Sequence, residues 1–393
     1  MTALVLGADS AIGLTLIREL GRHGVRVEAV GRDPRAIGGA SRHAAAIHVR
    51  PAGPIAAWLP PLIARTQARA LLAVSEGDLV ALAALPPRID GCVIATPRAE
   101  PLRIVLDKRE TLRRAALLGI EGPKSWQPSG EAPPALDFPV VLKWADPTAI
   151  LPLLESRSIE FRKTEYALNG EALALALGRY NAIGQWPLVQ SYAPGVGLGQ
   201  MLYMDQGRAT LRFQHQRLHE WPPEGGVSTL CRALPLDEHR AQMARSEALL
   251  AAIGWEGAAM VEYRYDPATR RYALMEINGR FWGSLPLASA CGAEFGWETY
   301  RRAVLGETTP SPAPRSGVVA RYLLPETRRL ARLWFGRGAI ADPFFTPAPL
   351  RDTLSYVARS FDPTVRDYVF RWDDLGPVIQ DVKNGLRKLA KLQ

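Results

Sequence analysis

The sequence predicts a mixed α/β and α+β protein whose N-terminal domain contains a doubly wound parallel sheet. Residues 2–6 (TALVL) have the apolar character of a buried strand, and an amphipathic helix pattern follows to about His23. Residues 25–30 (VRVEAV) are a second strand, so the chain opens with a strand–helix–strand unit. Two later apolar runs continue the alternation, which predicts that this first domain covers residues 1–100.

The sequence pattern from residue 101 to 308 predicts a second domain built from strands, turns and a few helices. The candidate elements are a helix at 106–123, strands at 138–144, 187–193, 199–204 and 208–217, a helix near 236–253 and a β-hairpin at 258–280. The segment TPSPAPRSG (309–317) is typical of a linker. The rest of residues 309–393 has amphipathic helical character, which predicts a basic C-terminal helical extension.

Composition restricts the classes of protein that the chain can belong to. Apolar residues make up 47% and charged residues 22%, and no apolar run reaches the roughly 18 residues of a bilayer-spanning helix. The formal net charge of +9 favours anionic ligands such as nucleotides, and we expect no nucleic-acid partner. Cys92, Cys231 and Cys291 are far apart, and no signal-peptide pattern opens the chain. These features predict a cytoplasmic protein without disulfides or a structural zinc site.

The hairpin at 258–280 carries the strongest chemical pattern in the chain. Glu276 and Asn278 are two residues apart on one strand, so their side chains point to the same face. Antiparallel pairing through the turn at 266–269 places Glu262 roughly opposite Glu276. Two carboxylates and an amide oxygen form a set of hard oxygen ligands suited to Mg²⁺. The alternative is a surface hairpin with solvated acids, but the apolar neighbours of these residues disfavour it.

The segment that contains these residues resembles a known family. Met275-Glu-Ile-Asn-Gly-Arg-Phe-Trp-Gly-Ser284 is similar to the ATP-grasp signature, especially in the branch with carbamoyl-phosphate synthase large chains, biotin carboxylases and carboxylate–amine ligases. The resemblance implies a Rossmann-like pre-ATP-grasp domain and a two-subdomain ATP-grasp fold, with a lid subdomain at about 123–190. The family's usual proline before the signature arginine is Gly279 here.

The resemblance also implies roles for individual residues. The metal site, for Mg²⁺ or Mn²⁺, would consist of Glu262, Glu276 and Asn278, and Arg280 would assist the reaction as a catalytic residue. Lys108, which opens a helix, and Lys143, which ends the strand 138–143, would bind the phosphates of ATP.

The segment Leu188–Gly195 resembles the family's hinge strand, which binds adenine and ribose. The family commonly has an acid next to the glutamine, where it holds the ribose hydroxyls, but this chain has Gln190-Ser191. We therefore expect Gln190, Ser191 and Tyr192 to contact the nucleotide, partly through backbone groups, with a changed mode of ribose binding.

The lid departs further from the family pattern, because no glycine occurs between Trp144 and Asn169. Many ATP-grasp proteins close a glycine-rich loop over the phosphates at this point. Arg157, Arg162 or Lys163 could replace that loop through side-chain charge.

A strand rich in anion-binding groups lies at 212–217. Alternation puts Phe213, His215 and Arg217 on one face, and the segment resembles the substrate-binding strand of carboxylate–amine ligases. We expect Arg217 to be a catalytic residue that holds the acyl phosphate or the carboxylate. His215 is either a general base or a structural histidine.

The activity implied by the resemblance is that of a carboxylate–amine or carboxylate–thiol ligase. It would use Mg·ATP to activate a carboxylate as an acyl phosphate, releasing ADP and phosphate, with small-molecule acids and amines as substrates. The changed hinge and lid leave open a nucleotide-binding regulatory or scaffold protein without turnover. A third class, an NAD(P) oxidoreductase, rests on Gly7, Gly13 and Asp33, whose spacing departs from the dinucleotide fingerprint.

The chain from residue 318 onward lies outside the resemblance. Its arginines surround Trp334 and Phe335, and its end is rich in lysine and arginine. Two interpretations remain open: packing against the rest of the chain or a second subunit of a homodimer, and weak contact with a membrane surface.

Overall fold

The computed structural model describes residues 1–129, 133–336, 340 and 342–390, which form three sheets with flanking helices. This confirms the mixed α/β class predicted from the sequence. None of the described helices has the length and apolar character that a helix needs to cross a bilayer. All three cysteines are free and buried.

The first sheet has the strand order β3-β2-β1-β4-β6-β5, and only β5 runs antiparallel to its neighbour. Its elements are β1 Thr2–Leu6, α1 Ala11–Arg22, β2 Arg26–Gly31, β3 Ala44–Val49, α2 Ile55–Thr66, β4 Ala68–Ala73, α3 Glu76–Ala83, β5 Arg88–Ile89 and β6 Cys92–Ile94. Ser10 caps α1, because its hydroxyl oxygen accepts a hydrogen bond from the backbone N–H of Gly13 at 3.1 Å. This sheet lies within the predicted first domain.

Two helices replace the single helix predicted at 106–123: α4 spans Ala99–Leu106 and α5 spans Lys108–Leu117. Asp107 separates them because its backbone is extended, with φ −90° and ψ 108°. Its carboxylate accepts a hydrogen bond from the N–H of Arg109 at 2.8 Å and so caps α5. The cap fixes Lys108 as the first residue of a helix.

The second sheet is antiparallel, in the order β7-β10-β8-β9, and lies within the predicted lid range. Its elements are β7 Ser125–Trp126, β8 Val140–Lys143, α6 Pro147–Ser156, β9 Glu165–Ala167, α7 Gly170–Gly178 and β10 Leu188–Ser191. Val140, Leu142 and Val189 form a small core with Leu173 of α7. The opposite face of β8, which carries Lys143, is therefore left for other contacts.

The third sheet is the largest, in the order β15-β14-β11-β12-β13-β16-β17. Its first part and the helices after it are β11 Val196–Asp205, β12 Arg208–Trp221, β13 Val227–Ala233, α8 Arg240–Ile253, β14 Gly257–Asp266, β15 Arg271–Asn278, α9 Leu285–Ala290 and α10 Phe295–Ala303. Tyr263 and Val261 of β14 pack with Leu250 and Ile253 of α8 in the main hydrophobic core. That packing turns the alternate residues of β14, among them Glu262, to the other face.

The C-terminal extension, which we define as residues 318–393, contains strands as well as the predicted helices. Its described elements are β16 Val319–Arg321, α11 Leu323–Phe335, α12 Pro349–Phe361, β17 Arg366–Asp367 and α13 Gly376–Ala390. β16 pairs with β13 and β17 with β16, so the extension continues the edge of the third sheet. Strands of two or three residues lack the alternating pattern by which a sequence indicates a strand.

A buried ion pair joins the extension to the first domain. The Nε atom of Arg18 on α1 lies 2.9 Å from Asp374, and both side chains are at most 5% exposed. Asp374 also accepts hydrogen bonds from the Ser41 hydroxyl at 2.6 Å and the Arg42 N–H at 2.8 Å. Burial raises the pKa of Asp374, but these hydrogen bonds and Arg18 lower it more, so the net shift is downward.

We expect Asp374→Ala to lower the free energy of unfolding by about 3–5 kcal/mol, because it leaves the buried Arg18 charge without its partner. Urea-induced unfolding measures the change. The control is Asp373→Ala, because Asp373 is half exposed and its carboxylate pairs with exposed Arg371; its effect should stay below about 0.5 kcal/mol. Equal effects of the two substitutions would contradict this account of how the extension is anchored.

Candidate active site

The hairpin β14–β15 brings the predicted metal ligands together. Glu262 pairs directly with Glu276 in the antiparallel register, and the register shifts between Glu262 and Tyr263. The amide nitrogen of Asn278 lies 3.3 Å from Glu276 and 3.5 Å from Glu262. Two carboxylates and one amide therefore converge at one place on the sheet face opposite α8.

Cations from two distant segments neutralise the two glutamates. The Nζ atom of Lys108, at the start of α5, lies 3.1 Å from Glu276. Arg217 on β12 forms an ion pair with Glu262, and its guanidinium also lies 3.6 Å from Glu220. Side-chain exposure is 12% for Arg217 and 15% for Glu262, so this charge pair is largely shielded from water.

The two carboxylates differ in how readily they accept a proton. The Lys108 charge is the main reason that the pKa of Glu276 lies far below its usual value, and Lys143 and Lys163 lower it further. Burial raises the pKa of Glu262, and repulsion from Glu276 adds to that effect although Arg217 opposes it. Glu276 is therefore firmly ionised, and Glu262 depends on its cationic neighbours to stay charged.

Lys143, at the end of β8, is a half-buried cation of the site that has no ion-pair partner among the described residues. Burial lowers its pKa, and Lys108 lowers it further, whereas Glu276 and Glu262 raise it. An ammonium group in this position gains stability from an anion that binds beside it. Lys108 differs, because its ion pair with Glu276 outweighs burial and raises its pKa.

Arg280 is held at the edge of the site by the first domain. Its Nε atom lies 3.0 Å from Glu76 of α3, and its Nη1 atom donates to the backbone oxygen of Phe281 at 3.1 Å. The neighbouring Gly279 is required by close packing, because a Cβ atom there would lie 2.4 Å from Cη2 of Trp255. A proline at this position would carry that Cβ atom and would clash with Trp255.

Among the three cations of the predicted lid, Lys163 acts on the cluster of predicted metal ligands. Its charge contributes to the lowered pKa of Glu276. Arg162 instead pairs with Glu160 at 3.1 Å and Glu165 at 3.5 Å, and Arg157 is an exposed residue that caps α6.

The three hinge residues predicted to contact the nucleotide have different surroundings in the structure. Register with β8 puts Gln190 on the same face as Lys143 and Ser191 on the opposite face. Gln190 is buried and donates to the Ser125 hydroxyl at 3.0 Å. The Tyr192 ring packs against the tilted ring of Phe344 in the C-terminal extension, with centroids 4.2 Å apart.

The backbone donors of the hinge are also in use. The Ser191 N–H donates to the backbone oxygen of Lys124 at 2.9 Å, and the Tyr192 N–H donates to the backbone oxygen of Pro139 at 3.4 Å. A nucleotide that needs these two groups would have to displace their present partners.

His215 is placed as a structural residue rather than a general base. It is fully buried, its Nδ1 atom bonds the Ser284 hydroxyl at 3.0 Å, and Nε2 has no partner among the described residues. Burial and the Arg217 charge lower its pKa to about 3, so the imidazole is neutral at pH 7.

The donor set fits a hard divalent cation. Within the described residues no group of three or more His, Cys, Asp or Glu side chains is arranged to hold a metal. The cluster instead offers the carboxylates of Glu262 and Glu276, and the Asn278 amide, whose nitrogen faces them, would present its oxygen after a half-turn of the amide group. Oxygen ligands of this kind are those that Mg²⁺ prefers. A metal here would compete with Lys108 and Arg217 for the carboxylates.

The first domain gives little support to binding of NAD(P). The cavity at the carboxyl ends of β1, β2 and β4 has a volume of about 240 Å³ and is lined in part by Asp9, Arg32 and Arg50. Ligand pockets usually reach about 300–1,000 Å³. Asp33 pairs with its neighbour Arg35 on the surface.

Comparison with known proteins agrees with this geometry. The family model for the carbamoyl-phosphate synthase L chain, ATP binding domain, matches residues 229–301, which contain the hairpin and Arg280. N5-carboxyaminoimidazole synthetase from Staphylococcus aureus, complexed with ADP, matches with a TM-score of 0.64 and 12% identity over 86% of each chain. The chain therefore resembles the ATP-grasp superfamily in the sequence of residues 229–301 and in its fold. No curated protein sequence matches it significantly.

Other ATP-grasp neighbours have comparable similarity. The biotin carboxylase domain of Hydrogenobacter thermophilus 2-oxoglutarate carboxylase, in complex with MgADP, ADP and bicarbonate, has a TM-score of 0.61, 14% identity and coverage of 81% of this chain and 73% of that chain. L-amino acid ligase from Bacillus licheniformis has a TM-score of 0.57 and 14% identity, and the match covers 79% of this chain and 77% of that chain. Rhizobium etli pyruvate carboxylase has a TM-score of 0.60 and 15% identity, and the match covers 81% of this chain but only 29% of that chain.

Two acids of this candidate site could not be predicted from the sequence. Glu220 lies three residues after Arg217, a spacing that normally puts strand residues on opposite faces, but the register shifts between Arg217 and His219. Glu76 is far from Arg280 in sequence, and no local pattern marks it.

We expect His215 to make the protein less stable in acid. Its folded-state pKa of about 3 lies below the ordinary value of 6.5. Between these values the unfolded chain binds the extra proton, so stability falls as pH decreases, by about 2 kcal/mol from pH 7 to pH 5. His215→Asn should remove this part of the loss in urea unfolding measured at both pH values.

The control is His23→Asn, because His23 is partly exposed beside Glu294. This variant should keep the loss that His215 causes. If the wild type and the His215→Asn variant lose the same stability between pH 7 and pH 5, the buried, neutral state of His215 is contradicted.

Proposed function

We propose that the chain is an ATP-dependent ligase that activates a carboxylate as an acyl phosphate and joins it to an amine or a thiol. The observation that carries this proposal is the cluster of two register-paired glutamates surrounded by Lys108, Lys143 and Arg217. Such a cluster can hold a divalent cation and a polyphosphate side by side. The ATP-grasp neighbours, several of them named as ligases or carboxylases, support the reaction class.

In this proposal Glu262, Glu276 and Asn278 hold Mg²⁺, and Mn²⁺ is an acceptable substitute because it also prefers oxygen ligands. The bound metal supplies charge neutralisation for the phosphates of ATP. Lys143 gains the anionic partner that it lacks among the described residues. Lys108 and Arg217 leave their carboxylates when the metal binds, which frees both cations to contact phosphate or substrate oxygens.

The proposed chemistry has two steps. A carboxylate oxygen of the substrate attacks the γ-phosphorus of ATP, so one O–P bond forms and the bond to ADP breaks. The amine then attacks the acyl carbon, the C–O bond to phosphate breaks, and the amine proton is released to solvent or phosphate. Arg280 and Arg217 stabilise the negative charge that develops on the transferred and leaving groups.

A second candidate function is a nucleotide-binding regulatory or scaffold protein without turnover. The occupied N–H groups of Ser191 and Tyr192 favour it, together with the lid that lacks glycine between Trp144 and Asn169. Both functions use the same metal-ligand cluster, so an assay of turnover separates them. The cytoplasmic location, the domain boundaries and a homodimer stay predictions.

We expect release of phosphate from Mg·ATP when the protein meets its acid and amine, tested with pooled panels of carboxylic acids and amines. Glu276→Gln should lower this rate by roughly 100-fold or more, the size of effect seen when one electrostatic group of an active site is lost. Glu121→Gln is the matched control, because Glu121 is 61% exposed and pairs with Arg271 outside the site.

Nucleotide binding without release of phosphate in any pool would favour the regulatory candidate instead. Full turnover by Glu276→Gln would contradict the assignment of the metal ligands. Equal losses in Glu276→Gln and Glu121→Gln would show that the loss is not specific to the site.

A further inference from the structure

The helix α12 of the C-terminal extension exposes an apolar stripe to solvent. Leu350, Leu354, Val357 and Phe361 recur at the spacing of one helix face, and their exposed fractions are 69%, 72%, 48% and 82%. We call these four residues the outer stripe. In a helix that packs through its apolar face, such residues would be buried.

Polar contacts hold α12 in this orientation. On its inner face the Asp352 carboxylate accepts a hydrogen bond from Arg329 of α11 at 2.8 Å, and both side chains are at most 7% exposed. Tyr356 bonds Thr327 at 2.8 Å, also on α11. Rotation of α12 to bury the outer stripe would expose Asp352 and leave the Arg329 charge buried without it, which is costly.

The helices α11 and α13 of the extension also expose apolar side chains. Of the 22 exposed large apolar side chains among the described residues, 12 belong to the C-terminal extension. Trp334 and Phe335 lie at the end of α11, and Ile379, Val382 and Leu386 follow one face of α13. Concentrations of this kind on a protein surface usually mark an interaction site.

Positive charge accompanies this apolar surface. Residues 318–393 contain 13 Lys and Arg against eight Asp and Glu. Arg351 is 81% exposed next to Leu350, and Lys383 and Arg387 adjoin Val382 and Leu386 on α13. Apolar side chains flanked by cations, with aromatic residues at the margins, suit the interface of an anionic lipid bilayer.

We propose that the C-terminal extension binds the surface of an anionic lipid bilayer through the outer stripe, with α12 lying along the membrane plane. The outer stripe enters the boundary between head groups and acyl chains, and the arginines and lysines contact lipid phosphates. A second copy of the chain fits less well, because a symmetric contact would bring the same positive charges together. The inner ion pair Arg329–Asp352 remains buried on binding.

The test is co-sedimentation of the full chain with large vesicles of phosphatidylcholine alone or with about one third phosphatidylserine. The wild type should sediment with the anionic vesicles and much less with the neutral ones. Leu354→Glu combined with Phe361→Glu should weaken binding at least about tenfold, because both side chains lose their burial in lipid.

The matched control is Leu175→Glu, because Leu175 is 74% exposed on α7, far from the extension in sequence. It should bind vesicles like the wild type. All variants should keep the wild-type melting temperature, since each changed side chain is exposed. Failure of the wild type to bind anionic vesicles, or wild-type binding by the double variant, overturns the proposal. If the wild type does not bind vesicles but forms a dimer in light scattering, and the double variant is a monomer, the surface is assigned to self-association instead.

Discussion

The site depends on a requirement for charge balance, because two glutamates lie side by side in the register of one hairpin. Carboxylates at this separation repel each other unless cations are close. Lys108 neutralises Glu276 and Arg217 neutralises Glu262, and these cations come from a helix start and from a different strand. The repulsion within one hairpin therefore fixes the positions of segments that are distant in sequence.

The same requirement would let the site accept a metal and an anion together. The cluster contains more cations than its two glutamates need, since Lys143 and Lys163 also act on Glu276. A divalent cation could take over the carboxylates, and the released cations would then require new anionic partners. Phosphate groups supply such partners, so metal and polyphosphate binding should favour each other.

Much of the site follows from the sequence because strand alternation is a strict rule. Glu276 and Asn278 share a face by spacing alone, and pairing through a short turn puts Glu262 opposite Glu276. Contacts between distant segments do not follow, which is why Glu76 beside Arg280 could not be found. The break at Asp107 was missed because the apolar pattern continues across it, whereas the extended backbone there depends on a cap. The strands β16 and β17 are too short to carry a pattern.

The most direct test of the central assignment is anomalous scattering from a crystal grown with Mn²⁺ and ADP, recorded at the manganese absorption edge. Our account predicts an anomalous peak within coordination distance of the carboxylates of Glu262 and Glu276. It also predicts that Lys108 and Arg217 have moved away from those carboxylates. Bound ADP with no manganese peak at this pair, or with the peak at other protein ligands, would contradict it.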